Sequence, residues 1–134
     1  NNPHIALYDL DELKSSFKQL QKNGITLNIS SNTAYIKGST LIKIFKHYNL
    51  ISHFNFFIFS DEINCSKPSH KFFDKLSEHC QNINVSKKTI LHVGDSYEAD
   101  IKGAELSKIN SRLISYKKES LISLFKSISN NEQN

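Results

Sequence analysis

Leu10, Leu13, Phe17 and Leu20 recur three or four residues apart, the spacing of one helix face, and Asn23-Gly24 marks that helix's end. Ile25 to Ser30 then reads as a strand. Ile36, Ile42, Phe45 and Tyr48 sit among polar residues and predict a second helix from about Gly38 to Tyr48. Phe56-Phe57-Ile58-Phe59 is an unbroken apolar run, as suits a strand buried on both faces. Phe72, Phe73 and Leu76 carry the next helix, with Ser69 as its N-cap before His70. Thr89 to Val93 is a third strand, Ala99 to Leu106 a helix, and Ser111 to Tyr116 a fourth strand. Leu121, Leu124, Phe125 and Ile128 close the chain as an amphipathic helix. Residues 130–134 hold no apolar side chain and are expected to fray.

Strands separated by helices call for right-handed crossovers and a parallel sheet covered on both faces. The predicted fold is therefore α/β, a three-layer α/β/α Rossmann-like arrangement. With no repeat, linker or break in composition, it reads as one domain over residues 1–129 with a disordered tail at 130–134.

Composition narrows the partners. The 134 residues are 38% hydrophobic and 22% charged, ordinary for a globular domain and too apolar for a disordered one. The net charge of +4 comes from 17 basic and 13 acidic residues, but the basic ones are scattered lysines with Arg112 the only arginine. That scatter argues against nucleic acid as a partner. No apolar run is long enough to span a bilayer and no basic-then-apolar leader opens the chain, so no membrane partner is expected. Cys65 and Cys80 lack CxxC spacing and read as free thiols in a reducing, cytoplasmic compartment. The chain has no Met and starts Asn1-Asn2-Pro3-His4, so it is expected to be processed or to be a piece of something longer.

In an open parallel sheet, ligands bind beyond the carboxyl ends of the strands. The first strand is followed by Ser31, Asn32 and Thr33. The second leads to Ser60, Asp61 and Glu62, with Lys67-Pro68 close behind. The third leads to Gly94-Asp95-Ser96, then Asp100. Taken singly, Ser31-Asn32-Thr33 is an ordinary loop and cap, and Lys67 a solvated lysine. Together the strand ends offer hydroxyls and amides for phosphate oxygens, a lysine to offset their charge, and paired carboxylates for a cation such as Mg²⁺.

These residues resemble the haloacid dehalogenase superfamily of phosphohydrolases. Its second motif, an apolar strand ending in a hydroxyl residue, is matched by Leu27 to Ser30 leading into Ser31-Asn32-Thr33. Its third, a lysine before a helix, is matched by Lys67-Pro68. Its fourth is matched by His92-Val93-Gly94-Asp95-Ser96 with Asp100. The resemblance spans about Leu10 to Ser115. It implies an Mg²⁺-dependent phosphohydrolase acting on a small phosphorylated substrate through an aspartyl-phosphate intermediate. Ser31 and Asn32 would bind the phosphoryl group, Lys67 would offset its charge, Asp95 would bind Mg²⁺, and Asp100 would bind or orient it. Ser31, Lys67 and Asp95 are the implied catalytic set. A metal-free dehalogenase is the lesser reading, because Asp95 and Asp100 look like the metal-binding form.

The family's first motif, Asp-x-Asp after an apolar strand, has one candidate, Asp9-Leu10-Asp11. Glu12 and Leu13 replace the usual Gly and small hydroxyl residue. Leu10 is in phase with Leu13, Phe17 and Leu20, and no room remains for the flap that follows a first strand. Asp9 and Asp11 therefore read as a helix start, favoured by the macrodipole. The alternative makes Asp9 the nucleophile and Asp11 the acid–base residue. On the main reading the nucleophile lies upstream, so a preceding segment or another chain would complete the fold. A further alternative is a degenerate, non-catalytic member that binds phosphate, metal or a protein. Substrate identity, set in this family by the cap and flap, is not legible.

Overall fold

The computed structural model describes residues 10–115 and 118–133, without the side chains of residues 118–120 and 131–133. The helices are α1 (Leu10–Lys22), α2 (Gly38–His47), α3 (Ser60–Ile63), α4 (His70–Asn82), α5 (Gly103–Leu106) and α6 (Lys118–Gln133). The strands are β1 (Ile29–Ser31), β2 (Phe57–Phe59), β3 (Leu91–Gly94) and β4 (Asn110–Leu113). The fold is α/β with parallel strands, as the alternation of patterns predicts.

Two features differ from the expected single sheet. The strands form two separate parallel pairs, β1 with β2 and β3 with β4. The chain also groups into two compact units. The first takes in the described residues of 1–28, 41–55 and 115–134, and the second residues 29–40 and 56–114. The physical reason is that the apolar side chains gather into two cores rather than one.

In the first unit, α1 presents Leu13, Phe17 and Leu20 on one buried face. Its partner is α6, and the Phe17 and Phe125 rings meet edge to face at 5.7 Å. Leu50, Ile122, Phe45 and Phe54 complete this core. Asp11 and Glu12 lie in the first turn of α1, the helix start that the periodicity predicts. Asp9 lies outside the described residues. Helix α6 continues through Asn130 to Gln133.

In the second unit, Phe72, Phe73 and Leu76 of α4 pack with Ile58 of β2 and with Ile90, Ala104 and Ile109. Ser69 caps α4 by accepting from the Phe72 N–H at 3.2 Å, as predicted. The predicted 99–106 helix is two elements. Residues Tyr97–Lys102 form a π-helical turn, capped where Ser96 Oγ accepts from the Ala99 N–H, and α5 follows it. The wider turn carries Asp100 back under Gly94, where a Cβ on Gly94 would collide with the Asp100 carboxylate. The glycine at the end of β3 is thus required by the carboxylate behind it.

Candidate functional site

Three sequence segments, separated by tens of residues, meet at the strand ends of the second unit. Ser31 ends β1, and its Oγ donates to the Asn32 carbonyl at 3.4 Å. The Asn32 side chain clamps the Lys67 main chain from both sides. Its Nδ2 donates to the Lys67 carbonyl at 2.9 Å, and its Oδ1 accepts from the Lys67 N–H at 2.8 Å. Asn32 thus holds Lys67 in place with both polar atoms, a more structural task than the phosphate contact implied for it. The bond between Lys67 and Pro68 is cis.

The Lys67 side chain is only 10% exposed, and its Nζ lies 2.6 Å from Asp100 Oδ1. The same oxygen lies 2.9 Å from His92 Nε2. The other, Oδ2, accepts from the Ser96 N–H at 3.1 Å. Burial by itself would push the Asp100 carboxyl up. Hydrogen bonds from His92 and Lys67, the lysine's charge and the Ser96 N–H outweigh burial and hold it well below the usual carboxylate range. Asp100 is therefore ionised, with two donors on Oδ1 and one on Oδ2.

Asp95 differs. It is exposed at the end of β3, with no hydrogen bond or ion pair to any described residue. Among the described residues no three His, Cys, Asp or Glu side chains converge into a metal cage. Exposed Asp95 offers the kind of single carboxylate through which Mg²⁺, which keeps several waters, is usually bound. Asp95 is exposed for such binding, whereas Asp100 has two donors on Oδ1 and one acceptor site left on Oδ2.

Two parts of the site went unassigned in the sequence. One is His92, which looks like a polar interruption of an apolar strand. Its signal was available, since a buried polar group needs a partner. The other is a lock at the ends of β1 and β2. Thr33 Oγ1 donates to Asp61 Oδ1 at 2.5 Å, the Thr33 N–H donates to Ser60 Oγ at 2.8 Å, and Asp61 Oδ1 accepts from the Gly38 N–H at 3.1 Å. Asp61 thereby caps α2 from a distant element, and the bond from Thr33 leads the causes that hold its carboxyl below the ordinary range.

Comparison with known proteins fits this arrangement. The haloacid dehalogenase-like hydrolase family profile matches residues 2–114. The chain belongs to the haloacid dehalogenase-like hydrolase family. The mouse haloacid dehalogenase-like hydrolase domain-containing protein 3 is 30% identical over 105 residues, covering 78% of this chain but 39% of that protein. The HAD-hydrolase YfnB from Bacillus subtilis, solved bound to magnesium, superposes with a TM-score of 0.67 at 25% identity, covering 78% of this chain and 43% of that one. A HAD-superfamily hydrolase from Ehrlichia chaffeensis gives 0.67 at 24% identity, covering 92% and 58%. The chain thus spans less than two thirds of each relative's length. Among the described residues of this HAD-like chain, no helix is long and apolar enough to cross a membrane.

Proposed function

We propose that this chain is the phosphate- and metal-binding part of an Mg²⁺-dependent phosphohydrolase acting on a small phosphorylated metabolite. The observation that carries the reading is the Asn32–Lys67–Asp100 chain of contacts, which joins the three motif segments at one rim of the strands. Ser31 would donate to a phosphoryl oxygen. Lys67, held by Asn32 at its main chain and by Asp100 at its ammonium, would offset charge there. Such fixed positioning and charge neutralisation supply most of the catalysis in phosphoryl transfer. Asp95 would hold Mg²⁺, which neutralises phosphate charge when bound.

The attacking carboxylate belongs upstream on this reading, in a strand that completes the fold. Attack on phosphorus by that Asp would form an aspartyl phosphate as the ester P–O bond breaks. The leaving alcohol oxygen would take a proton from a second Asp two residues on. Water activated by that second Asp would then attack phosphorus, releasing phosphate and restoring the nucleophile. The split sheet supports the idea. Among the described residues β1 pairs with β2 and β3 with β4. No residue of β1 is buried, unlike a central strand of a covered parallel sheet. Free Cys65 and Cys80 agree with a cytoplasmic setting.

Turnover of p-nitrophenyl phosphate tests the reading, using this chain alone and this chain extended by the upstream coding sequence. Turnover by the extended protein with nearly none from the chain alone is the expected result. Full turnover by the chain alone, abolished in Asp9→Asn, would transfer the nucleophile to Asp9. Phosphate or Mg²⁺ binding without turnover in both would replace the enzyme with a binding domain.

A further inference from the structure

We infer that His92 is a positioning residue that sets the Lys67 ammonium by acting through Asp100. What Lys67 does for a substrate rests on the phosphohydrolase reading; how it is held rests on geometry alone. His92 lies within β3 and is 6% exposed, with its ring edge-on to Phe73 at 5.2 Å and 87°. Lys67 Nζ and the Ser96 N–H can only donate and both meet the Asp100 carboxylate, which accepts, so His92 Nε2 is the donor of their 2.9 Å contact.

A carboxylate oxygen has two lone pairs. On Asp100 Oδ1 one donor is His92 and the other is Lys67 Nζ at 2.6 Å. With the Ser96 N–H on Oδ2, three donors fix a carboxylate torsion that is otherwise broad. Two of them, His92 and Ser96, come from β3 and the turn beyond it and are anchored without help from Lys67. The lysine instead hangs on a flexible four-carbon stem. The orientation is therefore imposed by His92 and Ser96 and followed by Lys67. One ammonium proton points to Asp100, leaving two donors for a phosphoryl oxygen. His92 is buried with its Nε2 on Asp100, so it acts through its neighbour.

The test compares His92→Gln, which keeps an N–H donor near the Nε2 position, with His92→Leu, which keeps none. His92→Asn, whose amide is too short, replaces the Leu variant if that fails to fold. In the ¹⁵N-labelled chain, long-range imidazole spectra should show His92 with a protonated Nε2. The Lys67 ammonium should give a slowly exchanging signal that survives in Gln and is lost in Leu. In the extended protein, p-nitrophenyl phosphate kcat should fall about 10–100-fold in Leu with KM little changed, and recover most of that loss in Gln. An unprotonated Nε2, or a Lys67 signal unaltered in folded His92→Leu, would overturn the inference. Equal kcat losses in folded Gln and Leu variants would overturn it too. Lys67 signals that respond as stated in a protein without turnover would uphold the positioning and refute the phosphohydrolase reading.

Discussion

Each compact unit buries a histidine beside a phenylalanine ring. In the first unit His53 lies 5.3 Å from Phe17, and in the second His92 lies 5.2 Å from Phe73. Their surroundings separate them. His53 is desolvated and faces the charges of Lys18 and Lys14, so its pKa is pushed down and it packs as a neutral core ring. His92 meets an ionised carboxylate that also holds a lysine. Burial and an aromatic neighbour therefore do not tell these two histidines apart. The charge that the ring faces does.

The largest expected effect falls on the second unit. Asp100→Ala strands the Lys67 charge and the His92 donor in a buried setting, and a loss of about 3–5 kcal/mol is expected in denaturant unfolding. A loss under about 1 kcal/mol would mean that Lys67 escapes to solvent and the cluster is not tightly held. His92→Leu comes next, at about 1–3 kcal/mol by the same measurement, because it leaves Asp100 one donor short. His53→Phe in the first unit should cost less than about 1.5 kcal/mol, as a near volume-conserving change among apolar groups. If the two histidine variants cost the same, the comparison between the units fails.

The pH dependence is a finer test. His53 has a folded pKa below its ordinary value of about 6.5, so the unfolded chain takes up the proton first. Its contribution is fully present above about pH 6.5 and is lost as pH falls through the lower folded value. His53→Phe should therefore flatten the stability profile on the acid side of neutrality, as read by Tm against pH. Smallest of all is Asp95→Asn. An exposed carboxylate with no partner among the described residues should change stability by no more than about 0.5 kcal/mol, while calorimetry should show Mg²⁺ binding lost.

The helices were legible because their apolar residues repeat at helical spacing over long stretches. Leu13, Phe17 and Leu20 face one core, and Phe72, Phe73 and Leu76 the other. Ser31 and Asp95 were legible as candidates because each directly follows a strand pattern, and Lys67 because it precedes Pro68 and the capped start of a helix. The division into two strand pairs was not, because a strand's pattern records its burial and not its neighbour. The roles of Asn32 and Asp100 were visible only in part. Residue type shows what a side chain can bind, whereas its partners, Lys67 for Asn32 and Lys67, His92 and Ser96 for Asp100, decide what it has left to offer.

The most direct test of the central claim is an Mg²⁺ titration of p-nitrophenyl phosphate turnover by the upstream-extended protein, run beside Asp95→Asn. The account predicts saturable activation by Mg²⁺ in the parent and loss of nearly all turnover in the variant, with both proteins equally folded. Activity that needs no divalent cation, or that survives intact in Asp95→Asn, would contradict it.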